Sequence, residues 1–113
     1  MLATLAAAAI ASMTCIVHEG GSPIRHDLTF YSPAPRTVLV TDAVSQPHDV
    51  VPYRTTYRVV SGNRGGLVAI RQDGDGGFSM LSVDHNRAFG QTTASNGRTF
   101  TSSGECRVRK AAR

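Results

Sequence analysis

From Leu67 onward, short runs of alternating polarity are separated about every ten residues by turn-forming residues, a spacing that suits an antiparallel meander and leaves no room for βαβ units. Asp73-Gly-Asp-Gly-Gly77 leads into Phe78–Asp84, His85-Asn86 into Arg87–Thr93, Ser95-Asn96-Gly97 into Arg98–Thr101, and Ser102-Ser103-Gly104 into Glu105–Arg109. Asn-Gly is a strong hairpin signal, because both residues accept positive φ at low cost. One apolar side chain per run, namely Ile70, Leu81, Phe89, Phe100 and Val108, is expected to point inward and form a continuous apolar face.

The upstream half carries the same signal less regularly. In Tyr53–Val60, Tyr53, Thr55, Tyr57 and Val59 share one face while Arg54, Thr56, Arg58 and Val60 share the other, as a half-buried strand requires. Arg36–Thr41 and Leu67–Arg71 are β-branched runs too short for helices, and Asp27–Tyr31 fits a strand between prolines. All five prolines, at 23, 33, 35, 47 and 52, fall between residues 20 and 52, where each removes a ladder donor. The expected fold is all-β: a small antiparallel barrel or sandwich of about seven to eight strands with a C-terminal meander. No internal repeat is seen, and no second domain is expected. The expected boundaries are an apolar segment or signal peptide over 1–14, one β-domain over 15–109 and a basic tail over 110–113.

The first fourteen residues carry no charge and read as the apolar core of a secretory signal peptide, although a basic n-region is missing. Ala9-Ile10-Ala11 has the small-x-small pattern that a signal peptidase accepts, which makes Ser12 the first mature residue. The run is too short to span a bilayer, so no transmembrane anchor is expected. Periplasmic or secreted localisation follows, and in an oxidising compartment the only two cysteines, Cys15 and Cys106, are expected to pair. Lipid modification of Cys15 competes with this, but Ser12-Met13-Thr14 is a poor lipobox and would leave Cys106 without a partner. Aromatic residues make up only 6% of the chain, with no Trp, so the core is thin and gains much from a covalent clasp.

The formal charge of +4 does not describe a basic surface. Residues 107–113 hold Arg107, Arg109, Lys110 and Arg113 without an acid; removing these four from twelve basic residues leaves eight, which matches the eight acidic ones. That distribution argues against nucleic acid as a partner. Eleven of the twelve basic residues are Arg, whose fork can clamp phosphate or carboxylate with two parallel hydrogen bonds. Arg54, Arg58 and Arg71, taken together as a sheet face, and Arg107, Arg109 and Lys110 in the tail are therefore the candidate contacts for an anionic polysaccharide, a lipid headgroup or a protein.

No residue cluster has the spacing of a known chemistry. Asp73-Gly-Asp75-Gly-Gly77 starts like a calcium loop with Asp84 at the twelfth position, but Gly77 offers no side-chain oxygen and Phe78 stands where the loop needs glycine. His18, His26, His48 and His85 have no recognised short ligand spacing, and two or three of them are expected at the surface without ligand duty, so no metal and no cofactor is expected. There is no Gly-x-Ser-x-Gly elbow, and Ser61-Gly-Asn-Arg-Gly-Gly66 lacks the Lys-Ser or Lys-Thr of a phosphate cradle. No catalytic residue is assigned, and the chain is expected to be a non-catalytic binding or envelope-associated module, with a purely structural envelope protein as the competing class.

An exported β-domain of this size, with cysteines near both ends and a last strand through Gly104-Glu105-Cys106, resembles the periplasmic inhibitors of C-type lysozyme, mainly over residues 67–109. The resemblance implies a Ser-Gly-x-x-Tyr loop plugging the lysozyme cleft. Here Ser61-Gly62 is followed by Asn63, Arg64 and Gly65 without Tyr, and the family's Trp-x-Lys-Gly segment has no counterpart. A basic inhibitor also meets a basic lysozyme against electrostatic repulsion.

Overall fold

The computed structural model describes residues 9–19, 21–63, 66–72, 76–84, 87–95 and 97–109. Eight strands follow one another: β1 (Ala9–Glu19), β2 (Ser22–Ala34), β3 (Thr37–Ser45), β4 (Tyr53–Asn63), β5 (Gly66–Gln72), β6 (Phe78–Asp84), β7 (Ala88–Ser95) and β8 (Arg98–Arg109). Each pairs antiparallel with the next, and β8 returns to β1, so the sheet is a closed up-and-down barrel rather than a sandwich. Closure removes the outer edges that a sandwich of short strands would leave open. No helix among the described residues is long and apolar enough to cross a membrane.

The odd strands start at one end of the barrel, here the first end, and the even strands start at the second. Side chains alternate in and out. Near the first end the interior is apolar, with Met13, Phe30, Val40, Val83 and Phe89 buried. Toward the second end the same inward rows turn polar: Leu28 gives way to His26, Val40 to Asp42, Tyr57 to Thr55, Ala69 to Arg71 and Phe89 to Gln91. This gradient positions the candidate site.

The Cys15–Cys106 disulfide is present, between residues directly opposite in the β1–β8 ladder with Cα atoms 3.9 Å apart. Two residue pairs along the ladder, Val17 faces Gly104. A Cβ on Gly104 would overlap the carbonyl oxygen of Ile16, so only glycine allows the two closing strands to approach this closely.

Several expectations need correction. The first strand reaches upstream of Cys15: β1 starts at Ala9, Ser12 pairs with both Thr29 and Arg109, and Met13 is 4% exposed in the core. Ser102-Ser103-Gly104 is not a turn but the middle of a twelve-residue strand, because its residues find ladder partners in Gln91, Gly90 and Phe89. Arg107 and Arg109 lie in β8, opposite Thr14 and Ser12. Lys110 and the rest of 110–113 lie outside the described residues, as do 1–8.

Of the five inward anchors, Leu81 and Phe89 are buried as expected. Ile70 is turned outward, opposite Arg58 and Met80, and its place is taken by fully buried Ala69 opposite Leu81. Phe100 and Val108 stay 62% and 52% exposed, because the stagger of the barrel leaves each with a paired strand on one side only. The proline-rich segment is more regular than expected: β2 runs thirteen residues, with Pro23 at its start and Pro33 inside the ladder irregularity between Tyr31 and Ala34, two positions that tolerate proline.

Candidate functional site

The polar interior at the second end forms an open mouth of about 290 Å³, lined by Ile24, His26, Val44, Tyr53, Thr55, Arg71 and Gln91 among others. Alternation on five strands aims these side chains inward. Ile24, His26, Leu28 and Phe30 form one inward row of β2, and Val38, Val40, Asp42 and Val44 form one row of β3.

At the base of the mouth, His26 Nδ1 is 2.9 Å and 3.1 Å from the two oxygens of Asp42. The residues are 3% and 0% exposed. A carboxylate only accepts, so Nδ1 carries the proton and donates. The imidazole is held further by Phe89, whose ring centroid is 4.7 Å away. A buried acid and a buried base at core positions would each be costly alone, and their pairing offsets the desolvation.

Tyr57 on β4 lies beside this pair, 1% exposed. Gln91 Nε2 donates to its phenolic oxygen at 2.7 Å. Burial pushes the Tyr57 phenol above its ordinary value of 10.0, and the Gln91 hydrogen bond and the Arg71 charge pull part of the way back. The phenol is thus neutral at physiological pH. Arg71 stacks over the same ring, with Cζ 5.0 Å from its centroid, and Nη2 donates to Ser79 Oγ at 3.0 Å. Ser79, fully buried, also shares a hydrogen bond with Thr93 at 3.2 Å. The guanidinium is therefore fixed in direction.

Beyond Arg58 and Ile70, the register records no further rungs between β4 and β5 toward the second end. The two strands splay there, and a cleft of about 430 Å³ opens in the outer wall, lined by Leu39, Thr56, Tyr57, Arg58, Ile70 and Arg71. Arg71 borders both this cleft and the mouth.

Arg54, Arg58 and Arg71 do not form one sheet face: Arg54 and Arg58 point outward, and Arg71 points inward opposite buried Ser79. The splay nevertheless brings Arg58 and Arg71 together at the cleft, without Arg54. Arg107 lies elsewhere, in an outer groove of about 690 Å³ between β1 and β8 with Ile16, His18, Arg25 and Glu105. Charge is mixed there, since Arg25 is ion-paired with Asp27 at 2.9 Å. Arg109 sits at the end of β8, and its backbone position is all that is described.

Sequence reasoning missed His26 and Asp42. Of the four histidines, two or three of which were expected at the surface, His18 and His48 are exposed, His85 lies outside the described residues, and His26 is buried. The usable signal was the period-2 pattern, which places His26 in line with Leu28 and Phe30 and Asp42 in line with Val38 and Val40. Among the described residues no group of three or more His, Cys, Asp or Glu is placed to hold a metal ion. Asp73 and Asp75 lie outside the described residues.

Comparison with protein-family models, with curated proteins and with solved structures finds no significant match to this chain.

Proposed function

We propose that this chain is a non-catalytic, extracytoplasmic binding module that takes an anionic ligand at the second end of the barrel, with Arg71 as the principal contact. The observation that carries this reading is the setting of Arg71: a guanidinium stacked on Tyr57, anchored by Ser79, and bordering both the mouth and the cleft. A cation fixed by packing loses little freedom when it binds, and the fork geometry suits carboxylate or phosphate. Arg58 at the outer lip of the cleft adds attraction. Eight-stranded barrels have interiors just wide enough to be filled by side chains or to hold one small ligand, and here the apolar end is filled while the polar end is open. The extracytoplasmic setting is supported by the disulfide that closes the sheet.

The test is a thermal-shift and calorimetric screen of small carboxylates, phosphonates and sulfonates at low ionic strength. Anions should raise the melting temperature of the wild type and of Arg54→Met, whose site lies outside both cavities, but not of Arg71→Met. Equal loss of binding in the two variants would sink the assignment to the mouth, and the absence of any anion-dependent shift would sink the function.

A further inference from the structure

Resting on that reading, we propose that the ligand is a small hydroxy acid, its carboxylate held by Arg71 and its hydroxyl donating to His26 Nε2. His26 is enclosed by protein on nearly every side, yet its hydrogen bonds all run through Nδ1 to Asp42. Among the described residues no buried side-chain nitrogen or oxygen lacks a partner. Nε2, for which the described residues supply no hydrogen-bond partner, is therefore not sealed in, and His26 is one of the residues that line the mouth.

Asp42 sets the chemistry of that atom. Because Nδ1 donates to the carboxylate, Nε2 of the neutral ring carries the lone pair and acts as an acceptor. The pairing with Asp42 and the packing on Phe89 fix its direction. A mouth with a fixed acceptor and a fixed cation is complementary to a molecule that carries a donor and an anion. A ligand ammonium would also donate, but it would bring a second cation beside the Arg71 guanidinium, while the carboxylate at the base of the mouth, Asp42, is already engaged by His26 Nδ1. A neutral hydroxyl avoids this.

Size and wall limit the rest of the molecule. A cavity of about 290 Å³ is at the lower end of small-molecule pockets and holds the volume of about ten water molecules. Ile24, Val44 and the ring of Tyr53 provide an apolar flank, so a compact apolar or aromatic body suits it. Mandelate, phenylacetate and benzyl alcohol form a matched set of probes, because the second lacks the hydroxyl and the third lacks the carboxylate.

Isothermal titration calorimetry is expected to show mandelate binding on the order of tenfold or more tighter than phenylacetate, since an enclosed acceptor left without its donor is costly. Arg71→Met should weaken both acids and leave benzyl alcohol unchanged. In nitrogen NMR spectra of histidine-labelled wild-type protein, the Nε2 resonance of His26 should move with mandelate and stay in place with phenylacetate; this readout needs no substitution in the buried pair. If the two acids bind equally, with Arg71 required and Nε2 unmoved, the hydroxyl assignment is wrong while the anion site stands. If neither acid binds, the inference and the anion site both fall.

Discussion

The disulfide closes a loop of 91 residues in sequence while joining two directly opposed rungs of one ladder, so its contribution can be separated from that of the ladder itself. In the chain-entropy treatment a cross-link over about 91 residues removes roughly 15 cal/mol/K from the denatured ensemble, or about 4.6 kcal/mol at 25 °C. Residual structure in the denatured chain reduces this, so Cys15→Ala/Cys106→Ala should lose about 3–5 kcal/mol. For a domain of about 100 residues the melting temperature should fall by about 15–30 °C. The native barrel should survive at low temperature, because the β1–β8 ladder extends from Ser12–Arg109 to Val17–Gly104 without the sulfurs. The assay is urea unfolding followed by far-ultraviolet circular dichroism and tyrosine fluorescence, which the absence of Trp leaves unobscured. The variant should show a lower midpoint with an equal or larger m-value, since an uncross-linked denatured chain exposes more surface. A loss under about 1 kcal/mol at unchanged m would refute the view that the bridge acts by restricting the unfolded chain. A variant unfolded at 25 °C without urea would refute the view that the ladder can close the barrel alone.

Three further outcomes are expected. Gly104→Ala places a methyl group against the backbone of Ile16 and should cost about 1–3 kcal/mol or more in urea unfolding, whereas Gly62→Ala, whose Cβ meets only side chains at 3.8 and 3.9 Å, should change stability by less than about 0.5 kcal/mol. Asp42→Ala strips the buried imidazole of its acceptor and should cost about 2–4 kcal/mol, while His26→Phe/Asp42→Leu should recover most of that loss, as measured by chemical denaturation. Burial raises the Tyr57 pKa above the unfolded value of 10.0, so the native state keeps a proton that the unfolded chain has already released; this stabilisation is complete below about pH 10 and is lost as pH rises through the folded value. The slope of stability against pH above 10 should therefore flatten in Tyr57→Phe, and an unchanged slope would show that another group drives alkaline unfolding.

Much of the architecture was legible because strand signals are local. Period-2 alternation identified Tyr53–Val60 and Phe78–Asp84, and two cysteines at the limits of the alternating region were enough to anticipate a clasp between first and last strands. What alternation cannot state is which strand continues through a turn-like triplet. Ser102-Ser103-Gly104 has turn composition, yet β7 and β1 offer it partners on both sides at Gly104, and ladder bonds outweigh local preference. Barrel or sandwich was likewise a matter of whether β8 meets β1, a contact between residues ninety positions apart.

The candidate site belongs almost wholly to tertiary structure. Sequence alone determined that the cations would be almost all arginine, and it held, unread, the alternation that puts His26 in line with Leu28 and Asp42 in line with Val40. Only the register of β2 on β3 decided that His26 and Asp42, sixteen residues apart, meet inside the barrel and neutralise one another's burial. Only the β5–β6 register turned Arg71 inward toward Ser79 and over Tyr57, away from Arg54 and Arg58. The physical reason is the same in each case: alternation sets which residues of one strand share a face, whereas closure of the sheet sets which faces look at each other and where the barrel is left open.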